Sequence, residues 1–129
     1  MTTIKTRRLI LALEDNENKK AILGKNHYSV YIVELSKDVM KEHKFKLKNP
    51  NYDPSKKCLY VGMTGLDPKE RFQKHKNGIK HNVYVERHGL HLLPNLYSKY
   101  TEMSFEDAKA KEMELADELR SKGNAVWSA

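Results

Sequence analysis

At 129 residues the chain is long enough for one packed domain and too short for two ordinary ones. Hydrophobic residues make up 39% of it and charged residues 32%, with 24 Lys+Arg against 17 Asp+Glu and a formal net charge of +7. An excess of that sign favours polyanionic partners, nucleic acid ahead of an anionic membrane surface. Cys58 is the only cysteine, which excludes an intramolecular disulfide and a Cys-rich zinc site and makes a reducing compartment the default. No segment approaches the roughly 20 apolar residues that span a bilayer. The short apolar run 9–13 lacks the length and cleavage site of a signal peptide, so the chain is read as cytoplasmic and free of the membrane.

Residues 1–27 show an apolar patch, a polar stretch and a second apolar patch without clear periodicity; they are set apart as an N-terminal extension to a domain over 28–129. Residues 28–35 are rich in β-branched and aromatic side chains and predict a strand. A basic excursion follows at 36–57, with seven lysines against three acids between Lys37 and Lys57, and its composition suits an exposed insertion with a short helix around 37–43. Residues 58–63 predict a second strand. Asp67 as N-cap, Pro68 in the first turn and Glu70 at the capping-box position then announce a helix that stops at Asn77 and Gly78. A short helix is expected over 81–88 and an edge strand over 90–97, interrupted by Pro94. Ser104 opens the clearest helix, which ends at Gly123, and Ala125, Val126 and Trp127 form an apolar tail that packs back.

Winding that last helix at 100° per residue gathers Phe105, Ala108, Leu115, Ala116 and Leu119 on one arc, with Glu112 near its middle. A carboxylate in an apolar stripe has to be paired, metal-bound or at the rim of a cleft, because an isolated buried charge is too costly. On the earlier helix, Arg71 and His75 are four apart and share a face. A guanidinium offers a planar fork of donors for phosphate, and an imidazole can move a proton near neutral pH. Lys69, Lys74, Lys76 and Lys80, with His81 beside them, make this a basic surface: residues 69–80 hold five bases and one acid, whereas 104–122 hold four bases and six acids. Basic charge concentrated in this way suits contacts to a phosphate backbone. Tyr31 and Tyr60 each lie inside a predicted strand.

In this order the signals resemble the GIY-YIG nuclease domain, over about residues 28–124. Ser29, Val30 and Tyr31 occupy the first strand motif, Tyr60, Val61 and Gly62 match the second, Arg71 follows on a helix, and Ala108 to Leu119 resembles the final helix in the register that selects Glu112. The departures are Ser29 in place of the first glycine, a long insertion between the motifs, and Asn124 as the nearest counterpart of a terminal Asn. The resemblance implies an α+β fold with a small three-stranded, mostly antiparallel sheet flanked by helices. It also implies an endonuclease that hydrolyses phosphodiester bonds in nucleic acid, DNA more than RNA, using one divalent ion, Mg²⁺ or Mn²⁺. Glu112 is then the metal ligand, Arg71 the phosphate clamp, Tyr60 or His75 the base or proton relay, and Tyr31 a group that orients water or phosphate. A nuclease-like module that only binds nucleic acid is the alternative.

Overall fold

The computed structural model describes residues 26–129; the expectations for 1–25 fall outside the described residues. His27 already belongs to the domain: it is buried, and its Nδ1 meets the Gly65 carbonyl at 3.3 Å.

The first strand is β1 (Ser29–Leu35), followed by a 3₁₀ helix (Lys37–Lys41) and α1 (His43–Lys48). Next come β2 (Cys58–Thr64), α2 (Pro68–Lys76), α3 (Val83–His88) and β3 (Gly89–Leu92). The short α4 (Pro94–Tyr97), the long α5 (Phe105–Ser121) and β4 (Ala125–Ser128) complete the domain. The sheet order is β3-β1-β2-β4. β1 runs antiparallel to β2 and to β3, whereas β4 lies parallel to β2. The fold is α+β, but the expected three-stranded, mostly antiparallel sheet is corrected to a four-stranded mixed one. The apolar tail after Gly123 is the fourth strand. Gly123 turns the chain with φ +97°, and the Ala125 amide then bonds the Lys57 carbonyl. Four residues after a helix stop carry too little periodicity to announce a strand.

β1 is buried at every position except Glu34, as a strand covered on both faces should be. Its core partners include Leu59 and Val61 of β2, Val126 of β4, and Ala108, Leu115 and Ala116 of α5. Phe105, read as part of the apolar arc of α5, is instead half exposed, with its ring edge-on to Tyr28. Of the expected edge strand over 90–97 only the first half is strand; Pro94 starts α4.

The basic excursion is also corrected. Its lysines are exposed, yet Val39 and Phe45 are fully buried and Asn49 nearly so. Phe45 stacks on Trp127 of β4 with ring centroids 6.2 Å apart, and Asn49 Oδ1 accepts from the Val126 amide at 2.7 Å and from Arg120 Nε at 3.2 Å. Phe45 and Asn49 turn the insertion into a buttress for the edge strand. Among the described residues no helix is long and apolar enough to cross a membrane.

Candidate active site

β1 and β2 bring the two tyrosines together through their register. Tyr31 sits opposite Gly62 and Val33 opposite Tyr60, so both tyrosines lie on one face of the sheet. The Tyr31 ring lies across Gly62. A Cβ added there would stand 2.7 Å from both Tyr31 Cζ and its hydroxyl oxygen, closer than carbon can approach, so the position demands glycine. The two rings are 6.0 Å apart between centroids, and both are buried.

α2 supplies the next two groups. Its start is set by Asp67, whose side chain accepts from the Lys69 amide, with Pro68 in the first turn. His75 faces inward and is 1% exposed. The Asn82 amide donates to its Nδ1 at 2.8 Å, which in the neutral ring leaves the proton on Nε2; that nitrogen lies 2.7 Å from the Tyr31 hydroxyl and donates to it. Burial pushes the His75 pKa down to about 4, helped by the positive Arg71 and by His81, so the ring is neutral at physiological pH.

Burial raises the Tyr31 hydroxyl well above the usual tyrosine range; Tyr60 adds to the rise, Glu112 does so more weakly, and Arg71 opposes it. The oxygen of Tyr31 is engaged by His75, and Tyr60 is its neighbour on the same sheet face. The interaction between the two tyrosines raises Tyr31 and lowers Tyr60, although burial leaves Tyr60 raised on balance. A hydrogen-bonded chain runs from the Asn82 amide through His75 to the Tyr31 hydroxyl, with the Tyr60 ring beside it.

Arg71 is half-buried. Its Nη2 donates to the Lys80 carbonyl at 2.6 Å and its Nη1 to the Ile79 carbonyl at 3.4 Å. Its charge acts on both tyrosines and on His75.

Glu112 is fully buried in the middle of α5. Its Oε1 lies 3.3 Å from Lys109 Nζ, one turn earlier; that ammonium is partly exposed and also donates to the Ala129 carbonyl at 3.2 Å. Its Oε2 is buried without a hydrogen-bond partner among the described residues. Burial raises the carboxyl pKa and the Lys109 ammonium pulls it back. Glu112 raises both tyrosine hydroxyls, which puts it within their electrostatic range, but among the described residues no ion pair joins it to Arg71. No group of three or more His, Cys, Asp or Glu side chains suited to a metal occurs among the described residues.

The basic residues divide. Among the described residues, Lys69, Lys74 and Lys80 have side chains with no ion pair or hydrogen bond, and they remain available to phosphate. Lys76 is not: its ammonium donates to the Glu86 and Gly89 carbonyls and closes the C-terminal end of α3. His81 is likewise engaged, with Nδ1 at the Gly78 carbonyl and Nε2 3.3 Å from Glu86 Oε2. Asn124 is structural, bonding the Lys57 amide and the Leu119 carbonyl.

Sequence reasoning missed the 77–82 turn, whose backbone holds both Arg71 and His75. The pair Asn77 and Gly78 reads as a helix stop, and nothing in residue type says what the next four carbonyls and amides will bond. No family model, curated protein or solved structure matches the chain.

Proposed function

We propose that the chain is a GIY-YIG-like endonuclease that hydrolyses phosphodiester bonds in nucleic acid, DNA in preference to RNA. The observation that carries this reading is the buried Tyr31–His75 hydrogen bond with Tyr60 beside it, which shares one electrostatic neighbourhood with the guanidinium of Arg71 and the orphaned oxygen of Glu112. A structural core does not need two tyrosine hydroxyls, an imidazole and a carboxylate at one place; phosphoryl chemistry does.

In this reading Arg71 binds the scissile phosphate and stabilises the charge that builds on its oxygens. Tyr60 relays the proton of the attacking water. Of the two hydroxyls it is the one whose proton leaves more readily, because Tyr31 and Arg71 both lower it against the rise from burial. His75 is the weaker choice for the base, since its Nδ1 already accepts from Asn82 and its Nε2 carries a proton; it orients Tyr31 instead. A hydrated Mg²⁺ or Mn²⁺ is the ion this reading calls for; the hard Glu112 oxygen without a partner would hold it, in competition with the Lys109 ammonium on the other oxygen. When bound, the ion supplies a Lewis acid and a more acidic water. Lys69, Lys74 and Lys80 would contact flanking phosphates.

The Glu112–Lys109 ion pair favours a second reading, a module that binds nucleic acid without cutting it. Labelled DNA and RNA structures incubated with Mg²⁺, Mn²⁺ or chelator separate the two. Metal-dependent cuts are expected, lost by ~10²–10³ or more in Glu112→Gln and in Arg71→Ala with binding retained. Glu112→Gln should also unfold no earlier than the wild type, because it removes a buried charge whose partner, Lys109, can turn to water. Binding without cuts under every condition selects the binding module; undiminished cutting by the purified Glu112→Gln chain removes Glu112 from the chemistry.

A further inference from the structure

The turn between α2 and α3 is more than a connection. Gly78 has φ +74°, and two residues later Lys80 has φ +44°, a left-handed conformation that a residue with a Cβ adopts only at a cost. The strained turn is pinned at several points. The amides of Gly78 and Ile79 bond the carbonyls of His75 and Lys74, and the His81 ring bridges the Gly78 carbonyl and the Glu86 carboxylate. In this shape it places two carbonyls on the Arg71 guanidinium and one amide on His75.

We infer that the 77–82 turn positions Arg71 for the phosphate, with the carbonyls of Ile79 and Lys80 as the groups that hold it. The inference rests on the reading of Arg71 as phosphate clamp. A guanidinium has five N–H donors in a rigid plane; two are taken by the carbonyls and three remain for phosphate oxygens. A free arginine would have to lose its rotamer freedom when substrate arrives, whereas this one has already lost it in folding. The same turn fixes the proton of His75 on Nε2 through the Asn82 amide, so a single backbone conformation sets the clamp and the first donor of the relay. Strain at Lys80 persists because the contacts on either side of it over-determine the turn.

Three variants of the full chain test this. Lys80→Ala, Lys80→Gly and Lys80→Val all remove the ammonium; glycine adopts φ +44° freely and alanine at about lysine's own cost, whereas valine, branched at Cβ, resists it most. Two readouts are taken: kcat and KM for metal-dependent cleavage of a labelled duplex, and the ¹⁵N–¹H signals of the Arg71 guanidinium, whose Cζ–Nη rotation is slow when both Nη groups are held. The alanine and glycine variants should share one loss, in KM, and keep Arg71 restrained. The valine variant should free the guanidinium and lower kcat further, by up to ~10²-fold for a displacement of about 1 Å. Equal kcat in the valine and alanine variants, with Arg71→Ala inactive, would overturn the positioning role and leave the nuclease reading standing. A freely rotating Arg71 in the wild-type chain overturns the inference directly. A wild-type chain that cuts nothing while Arg71 is held overturns the nuclease reading and with it the purpose assigned to the turn.

Discussion

Gly62 leaves empty the volume in which the Tyr31 ring lies, and that vacancy brings a buried hydroxyl to His75. An added methyl would meet ring carbon and hydroxyl oxygen at 2.7 Å, with the sheet register on either side preventing retreat. Gly62→Ala should therefore push Tyr31 off His75, at a cost of about 1–3 kcal/mol in stability from overpacking. Urea unfolding measures the stability cost and cleavage the displacement of Tyr31; a fully active, fully stable alanine variant would show that the ring has other room. At this scale much of the site was legible. Tyr31 and Tyr60 stand in strands that their neighbours predict, and helical periodicity alone singles out Glu112 as the carboxylate on the buried arc. Arg71 and His75 were legible as a pair one turn apart. Their orientation was not, because it depends on the backbone atoms of Ile79, Lys80 and Asn82, and backbone groups carry no residue-type signal.

Elements were read best where capping and periodicity agree, as in α2 with Asp67 and Pro68 and in α5 with Ser104 and Gly123. They were read worst where composition speaks for the surface and a few residues speak for the core. The excursion between β1 and β2 is mostly lysine-bearing and polar, yet Val39, Phe45 and Asn49 turn inward, and Phe45 and Asn49 support β4. Asn49 is the critical tie. Its amide group donates to the Phe45 carbonyl, while its oxygen accepts from Val126 of β4 and from Arg120 of α5, so one side chain joins three elements. In Asn49→Ala the buried Val126 amide loses its partner, which costs about 1–3 kcal/mol. Because β4 is an edge strand, the damage should be local first: hydrogen exchange at the β4 amides should rise more than at β1. Uniform acceleration across the sheet would mean that the excursion is not a separable buttress.

For the molecule as a whole, the buried polar site should set how stability responds to pH. In the unfolded chain an imidazole binds its proton below about 6.5. In the fold His75 does so only near 4, because burial, Arg71 and His81 all disfavour the charged ring. Between those values the unfolded state holds a proton that the native state lacks, so every step down in pH favours unfolding. The loss starts as pH falls through about 6.5 and is complete near 4; at full strength the displacement is worth up to roughly 3 kcal/mol. Glu112 acts in the opposite sense, since its raised pKa means that acid neutralises a buried charge and favours the fold, which flattens the lower part of the window. The lowered carboxylates Glu42 and Asp53 lose stability only as pH falls below the ordinary carboxylate range, so they contribute little above it. Urea midpoints at pH 7.5 and 5 should therefore differ in the wild type. His75→Gln, which retains a donor for Tyr31 and cannot be protonated, should remove most of that difference. An equal difference in both proteins would place the acid sensitivity elsewhere and remove the basis for a neutral His75 at the head of the relay.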